Sequence, residues 1–336
     1  MSNSKPRIVS LGAPKYIGDE YLASFSKSYD FDVVEAYDHA TTRRLLPQFI
    51  EKNGPIDGFI IRMGTLPYEP FSAELFAPLA PHCKIVTSAS AGYNEFDTQW
   101  LGKNGIWFCN TVDAVGEPTA DMAMLLILAV VRDFGNAERS ARNGDWRGKM
   151  VPTKDPSGLT LGIVGMGTIG KYLAKKAAVF NMKIAYTKRT RLPGDEERKY
   201  GATYYESLHE LLAVSDVVSL NCPLNDETRG LIGPDEFAAM KDGAFLVNTA
   251  RGAVVDEKSL INAIESGKVA RAGLDVFDQE PKINPYFVQS DRVILQPHLG
   301  GLTETAFQRA EKECFENIRA LFEKGFPNSP VNKIER

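Results

Sequence analysis

The stretch from Thr160 to Phe180 constrains this chain more than any other. Thr160-Leu161-Gly162-Ile163-Val164 has the apolar, β-branched character of a buried strand and runs directly into Gly165-Met166-Gly167-Thr168-Ile169-Gly170. Residues Lys171 to Phe180 then have helical composition. This is G-x-G-x-x-G between a strand and a helix, and each glycine has a steric task. The first permits a tight turn, the second lets a pyrophosphate approach the backbone, and the third lets the helix pack closely on the strand, with the helix N-terminus facing the anion. The motif in that setting predicts a Rossmann-type domain that binds a dinucleotide.

A site that prefers NAD carries Asp or Glu about 20 residues further on, where it bonds the ribose hydroxyls. Here that position reads Tyr186-Thr187-Lys188-Arg189-Thr190-Arg191, without a carboxylate. Lys188, Arg189 and Arg191 put positive charge where the extra phosphate of NADP would lie, and an arginine fork can grip a phosphate with two hydrogen bonds. NADP(H) is therefore the expected cofactor, with NAD(H) possible. The competing reading is a solvated basic turn balanced by Asp195, Glu196 and Glu197.

The 336 residues, 43% of them hydrophobic and 24% charged, are enough for two globular domains. Short β-rich runs alternate with helix-length segments at Arg7 to Leu11, Phe31 to Glu35, Gly58 to Arg62, Lys84 to Ser88 and Gly105 to Asn110. A second series follows at Leu161 to Val164, Lys183 to Tyr186, Val217 to Leu220, Phe245 to Asn248, Ala272 to Asp275 and Val293 to Leu295. That rhythm predicts an α/β protein with two doubly wound parallel sheets. A long apolar helix is expected from Pro118, placed in its first turn, to about Asp133, and another from Glu304 to Lys324 that returns to the first domain. The expected domains are residues 1–112 with 302–336, and 113–301. A net charge of −4 argues against nucleic acid or an acidic membrane as partner. The apolar run Met122 to Val131 is about half of what a bilayer crossing requires. The N-terminal segment lacks a secretory pattern, so a cytoplasmic location is expected. Cys83, Cys109, Cys222 and Cys314 fit neither a disulfide framework nor a zinc site, and no metal is expected.

Four histidines exist: His39, His82, His209 and His298. His298 follows a strand, as do Arg251 and Glu280, and strand ends in such sheets face the ligand crevice. A guanidinium to hold a carboxylate and polarise a carbonyl, with an imidazole proton donor tuned by a carboxylate, is what reduction of a 2-oxo acid requires.

From Lys84 to Asn332 the sequence resembles the D-isomer-specific 2-hydroxyacid dehydrogenase family. The resemblance rests on Gly165 to Gly170, Asn221-Cys222-Pro223-Leu224 with Thr228, Val247 to Gly252, Asp275, and Pro297-His298-Leu299-Gly300-Gly301-Leu302-Thr303. It also includes the loop Ser88 to Asp97, where Ser90 and Asn94 stand at positions at which the family commonly has Gly and Asp. Tyr186 to Arg189 is similar to NADPH-using glyoxylate and hydroxypyruvate reductases, and the C-terminal segment looks like fungal glyoxylate reductases. The resemblance implies a Rossmann cofactor domain, a flavodoxin-like substrate domain, an active-site cleft between them and a homodimer formed through the helix after Pro118. It implies that Arg251, Glu280 and His298 are catalytic. Binding of the dinucleotide is implied for Thr119, Gly165, Met166, Gly167, Thr168, Ile169, Gly170, Thr187, Lys188, Arg189, Cys222, Pro223, Thr228, Thr249, Ala250, Arg251, Asp275, His298 and Gly300. Substrate binding is implied for Met63, Gly64, Ala91, Gly92, Arg251 and His298. Glu280 argues against the formate dehydrogenases, which pair the histidine with Gln. The expected reaction is reduction of a small 2-oxo acid, glyoxylate or hydroxypyruvate. The alternatives are a reductase of bulkier or aromatic 2-oxo acids and a nucleotide-sensing corepressor of the same fold.

Overall fold

A computed structural model of the chain describes residues 5–62 and 70–335. Met63 and Gly64 lie outside the described residues. The chain divides into two compact units, Met1–Val115 with Leu302–Arg336, and Gly116–Gly301.

The first unit contains β1 (Arg7–Leu11), β2 (Asp30–Val34), β3 (Gly58–Ile61), β4 (Ile85–Ser88) and β5 (Trp107–Cys109), all parallel, in the order β2-β1-β3-β4-β5. β3 and β4 are buried at every position, which is why they read as unbroken apolar runs rather than alternating ones. The helix Glu304–Lys324 packs against β3 and β4. Ala306, Ala310, Cys314, Phe315 and Ile318 recur at helical spacing and are buried with Ile8, Ile60 and Ile85 of the sheet. The Thr303 hydroxyl accepts the Ala306 N–H at the start of this helix, and Gly325 ends it at φ 82°. Glu311, buried on the inner face, accepts backbone N–H groups from Tyr16 at 2.6 Å and Ile17 at 3.0 Å and pairs with Arg62 Nε at 3.0 Å. Its charge is thus fully matched.

The second unit holds β6 (Thr160–Val164), β7 (Lys183–Thr187), β8 (Ala202–Tyr204), β9 (Val217–Leu220), β10 (Ala244–Asn248), β11 (Val269–Leu274) and β12 (Val293–Leu295). They form one parallel sheet in the order β12-β11-β10-β9-β6-β7-β8. Strands build outward from β6 in both directions, so the connections reverse between β6 and β9, the switch point where such sheets bind ligands. The three-residue edge strand β8 is absent from the sequence reading. It is short, none of its residues is buried, and only its pairing with β7 defines it.

The long apolar helix spans Val112–Val131, so Pro118 lies inside it and not in its first turn. An interior proline leaves the carbonyl four residues back without its donor, at roughly 3 kcal/mol. The helix continues because Ala120, Ala123, Met124, Leu126, Ile127 and Val130 are buried with Leu161, Ile163 and Val247 of the sheet, which offsets that cost. By length and composition this helix could cross a bilayer, but 67% of its most apolar window is buried inside the protein.

Phe315 is fully buried, with its ring 4.8 Å from that of Phe25 and 5.5 Å from that of Phe31. Phe315→Ala is expected to destabilise the protein by about 3–5 kcal/mol, the usual range for emptying such a site. Chemical denaturation followed by fluorescence checks this, and an unchanged midpoint would show that the aromatic cluster is dispensable.

Candidate active site

Because every strand of the second sheet is parallel, the loops that leave the carboxyl ends all emerge along one edge. Gly165 follows β6, Asn221 follows β9, Thr249 to Arg251 follow β10, Asp275 follows β11 and His298 comes shortly after β12. The edge therefore gathers residues that are far apart in sequence.

The glycine turn has the geometry its sequence requires. Gly165 sits at φ 98°, and a Cβ there would come within 2.8 Å of the Asn221 carbonyl and the Cys222 nitrogen. A Cβ on Gly170 would lie 2.5 Å from the Gly165 carbonyl oxygen, so a side chain would push the helix off the strand. Around Gly167 the corresponding space is open. The helix Thr168–Val179 begins there, and no described side chain caps its N-terminus. Its N–H groups and dipole are available to an anion. Among the described residues, Asn221 Oδ1 and Thr249 Oγ1 are buried without a hydrogen-bond partner. Buried polar atoms of this kind are normally satisfied, so both fit a polar ligand along this edge. The residues present thus fit a dinucleotide.

Thr187 ends β7, and Lys188 and Arg189 follow it, with the Arg189 side chain 82% exposed. Arg191 departs from the expectation. Its guanidinium makes two hydrogen bonds to Glu197, at 2.8 and 2.9 Å, and lies 5.3 Å from the centre of the Tyr204 ring. Hydrogen bonds from Arg191 and Tyr186 hold the Glu197 carboxyl down at about 2. Arg191 is committed to the turn's own structure, which leaves Lys188 and Arg189 as the cations there. Glu196 is likewise engaged, with Lys171. Cys222 and Pro223 open the loop after β9, and the Thr228 hydroxyl closes it by donating to the Pro223 carbonyl at 2.6 Å. Burial pushes the Cys222 thiol up to about 11, so it is protonated and unreactive at neutral pH.

His298 Nδ1 and Glu280 Oε2 are 2.7 Å apart, and Glu280 Oε1 accepts the Phe277 N–H at 2.9 Å. Burial pushes the Glu280 carboxyl up. The hydrogen bond and charge of His298, the Phe277 N–H and the charge of Arg251 outweigh it and leave Glu280 below its ordinary value. Glu280 is therefore an anion, and its contact with Nδ1 leaves Nε2 as the nitrogen that can pass a proton to a ligand.

His298 has φ 58°, a left-handed conformation unusual for a residue with a side chain. Asp275 holds it there. The Asp275 backbone carbonyl accepts the His298 N–H at 2.8 Å, and its two carboxylate oxygens accept the N–H groups of Leu299 and Gly300, each at 2.8 Å. Burial raises the Asp275 carboxyl above its ordinary value against the pull of those bonds. A Cβ on Gly300 would lie 2.8 Å from Asp275 Oδ2 and 3.3 Å from Thr119 Cγ2, which places Thr119 beside the same turn.

Two residues of this site had no role in the sequence reading. Asn248 clips the turn after β10, accepting the Ala250 N–H at 3.0 Å and donating to the Arg251 carbonyl at 2.9 Å. Gly252 allows the strand ends to meet, since a Cβ there would sit 1.9 Å from the Phe277 carbonyl carbon. An asparagine at a strand end was a usable signal for the first. Nothing local marks the second, because Phe277 is distant in sequence.

In the first unit, the loop after β4 is pinned from behind. The Ser90 carbonyl accepts the Thr111 N–H at 3.0 Å, and the Ala91 carbonyl accepts from Asn110 Nδ2 at 2.6 Å. In a trans peptide the N–H points opposite the carbonyl, so the N–H groups of Ala91 and Gly92 face away from those partners. Ser90, where the family commonly has Gly, donates its hydroxyl to the Gly92 carbonyl at 2.9 Å.

A doubly wound sheet with this glycine turn and an imidazole–carboxylate pair along the same edge is the framework of a nicotinamide-dependent oxidoreductase. Comparison with known proteins is more specific. A family model described as the NAD binding domain of D-isomer specific 2-hydroxyacid dehydrogenases matches residues 124–300. A dehydrogenase of Hormonema carpetanum, efuE, is 56% identical over 332 residues, covering 99% of this chain and 83% of the relative. The crystal structure of a glyoxylate reductase from Paecilomyes thermophila aligns with a TM-score of 0.90 at 35% identity, over 97% of this chain and 98% of that one. The holo form of D-mandelate dehydrogenase from Rhodotorula graminis aligns with a TM-score of 0.90 at 32% identity, over 99% of both chains. The chain belongs to the D-isomer-specific 2-hydroxyacid dehydrogenase family. It is an oxidoreductase that acts on CH–OH groups.

Replacing Glu280 by Gln keeps a hydrogen-bonding group beside Nδ1 but removes the negative charge 2.7 Å from the ring. Glu280→Gln should lower kcat for reduction by about 10-fold or more, as carboxylates that orient an imidazole commonly contribute that much or more. Steady-state kinetics of reduction check this, and an unchanged kcat would remove Glu280 from the active unit.

Proposed function

We propose that the protein reduces a small 2-oxo acid of the glyoxylate or hydroxypyruvate type to the D-2-hydroxy acid, with NADPH as reductant. The observation that carries this reading is the 2.7 Å pair of His298 and Glu280 on the strand edge that also bears Arg251 and the glycine turn. The reduced nicotinamide, when bound, supplies the hydride.

The remaining work falls to the chain's own groups. Arg251 offers a planar fork that matches a carboxylate and leaves positive charge toward the neighbouring carbonyl oxygen. His298 donates its Nε2 proton to that oxygen as the carbonyl carbon receives the hydride, so the carbonyl becomes a hydroxyl with no net charge gained. Glu280 engages Nδ1 and so leaves Nε2 for the ligand, and Asp275 holds the turn that aims the ring. The N–H groups of Ala91 and Gly92 are proposed as further carboxylate donors. Lys188 and Arg189, with Thr187, are proposed to receive the 2′-phosphate of the cofactor, supported by the absence of a carboxylate at the end of β7.

A second reading, reduction of aromatic 2-oxo acids, draws support from the likeness to D-mandelate dehydrogenase, as close in TM-score as that to glyoxylate reductase. A homodimer is proposed from an apolar surface on the second unit, where Leu125 is 54%, Val179 80% and Phe180 40% exposed. Contiguous apolar surface of this kind commonly marks an interface.

The test is a panel of glyoxylate, hydroxypyruvate, aliphatic 2-oxo acids and benzoylformate with each reduced cofactor, followed by nicotinamide absorbance. The highest kcat/KM is expected for the small acids with NADPH. A higher value with benzoylformate would transfer the assignment to the aromatic reading, and no turnover with any of them would refute both. His298→Ala should lower kcat by about 100-fold or more, the scale of losing a general acid. Arg251→Ala should damage both KM and kcat, and unchanged kinetics would make that residue structural.

A further inference from the structure

The end of β7 carries no carboxylate of its own, yet one reaches it through space. Glu227 Oε2 lies 3.5 Å from Arg189 Nη1, with both side chains largely exposed. Glu227 belongs to the loop after β9, whose first residues Asn221 and Cys222 border the glycine turn. That loop holds its own shape. Asn225 Oδ1 accepts the N–H groups of Glu227 and Thr228, each at 3.0 Å. The Thr228 hydroxyl accepts the Asn225 N–H at 2.9 Å and donates to the Pro223 carbonyl at 2.6 Å. The Glu227 backbone is therefore fixed beside the basic turn by bonds that do not involve its own side chain.

From this arrangement we propose that Glu227 is a specificity-determining residue that weakens the hold of the basic turn on a 2′-phosphate and so keeps NADH usable. The inference rests on the proposed role of Lys188 and Arg189 toward that phosphate. A 2′-phosphate that takes the Arg189 fork with two bonds competes with Glu227 for Nη1. It must then remain near a charge of its own sign, since the phosphate carries roughly −1.5 to −2 at neutral pH. A cofactor with a 2′-hydroxyl meets neither obstacle, because it needs no guanidinium and does not repel a carboxylate. Arg191 cannot relieve the competition, being held by two bonds to Glu197. An exposed ion pair is worth little to folding, and that is consistent with a pair kept exchangeable.

The experiment measures binding of 2′,5′-ADP and 5′-AMP by titration calorimetry to the wild-type protein, Glu227→Gln, Glu227→Asp and Arg189→Ala. These probes carry the adenosine end of the cofactor with and without the 2′-phosphate, so the readout does not depend on turnover. Glu227→Gln is expected to bind 2′,5′-ADP about three- to tenfold more tightly, the modest effect of charges that face water. Its affinity for 5′-AMP should be unchanged, and Glu227→Asp should stay close to wild type. The gain should shrink at about 1 M salt, where such interactions are screened. If Glu227→Gln leaves 2′,5′-ADP affinity unchanged while Arg189→Ala weakens it, the inference is overturned and the NADPH reading stands. If the wild-type protein binds 2′,5′-ADP no more tightly than 5′-AMP, and Arg189→Ala changes neither, the cofactor reading falls and takes this inference with it.

Discussion

Asp275 takes hydrogen bonds from three successive backbone N–H groups, those of His298, Leu299 and Gly300, and the chemistry of the second unit depends on that grip. A residue with a Cβ in the left-handed region gives up on the order of 1 kcal/mol, and it stays there only when its surroundings over-determine it. Here the surroundings are one residue at the end of β11, whose carbonyl and both carboxylate oxygens face the same turn. The backbone then sets the direction of the His298 Cα–Cβ bond, and Glu280 engages Nδ1 to complete the pair. Gly252 removes the side chain that would keep the ends of β10 and β11 apart, so Arg251 and Glu280 can share one electrostatic environment.

The parts that were legible in the sequence are those whose physical demand is local. Gly165 is required by its own φ of 98°, Gly170 by the nearby Gly165 carbonyl, and Gly167 stands at an open space. β9 has the bounds read from the sequence because continuous burial writes itself as a continuous apolar run, and β1 and β12 match as well, although β12 is only half-buried. The helix Glu304–Lys324 was equally plain from its period.

Illegible features are those made through space. Arg191 looked like one more cation for a phosphate, and only the approach of Glu197 and Tyr204 shows that it is spent on the turn itself. Pro118 looked like a helix start because propensity is a local quantity, whereas the burial that carries the helix through it is tertiary. Glu227 was invisible as a neighbour of Arg189, since the pairing of β6 with both β7 and β9 is what brings the two loops side by side. Asp275 was placed correctly at a strand end, but its three bonds to the histidine turn cannot be inferred from spacing.

Charge explains why a buried carboxyl group and a half-buried one can share one edge without acting alike. Glu280 gains more from its cationic neighbours than it loses by burial, and its carboxyl ends below the ordinary value. Asp275 meets mainly neutral N–H donors, which do not fully offset burial, and its carboxyl ends above. The first is suited to sustaining a proton on a neighbouring ring, the second to holding backbone in place. A 2-oxo acid brings one negative charge of its own, which Arg251 can match without drawing on Glu280. In the proposed reaction the imidazole stays paired with Glu280 while Nε2 gives its proton to the carbonyl oxygen. The two carboxyl groups differ in their surroundings, and in the proposed reaction that difference separates the group paired with the proton donor from the one that positions it.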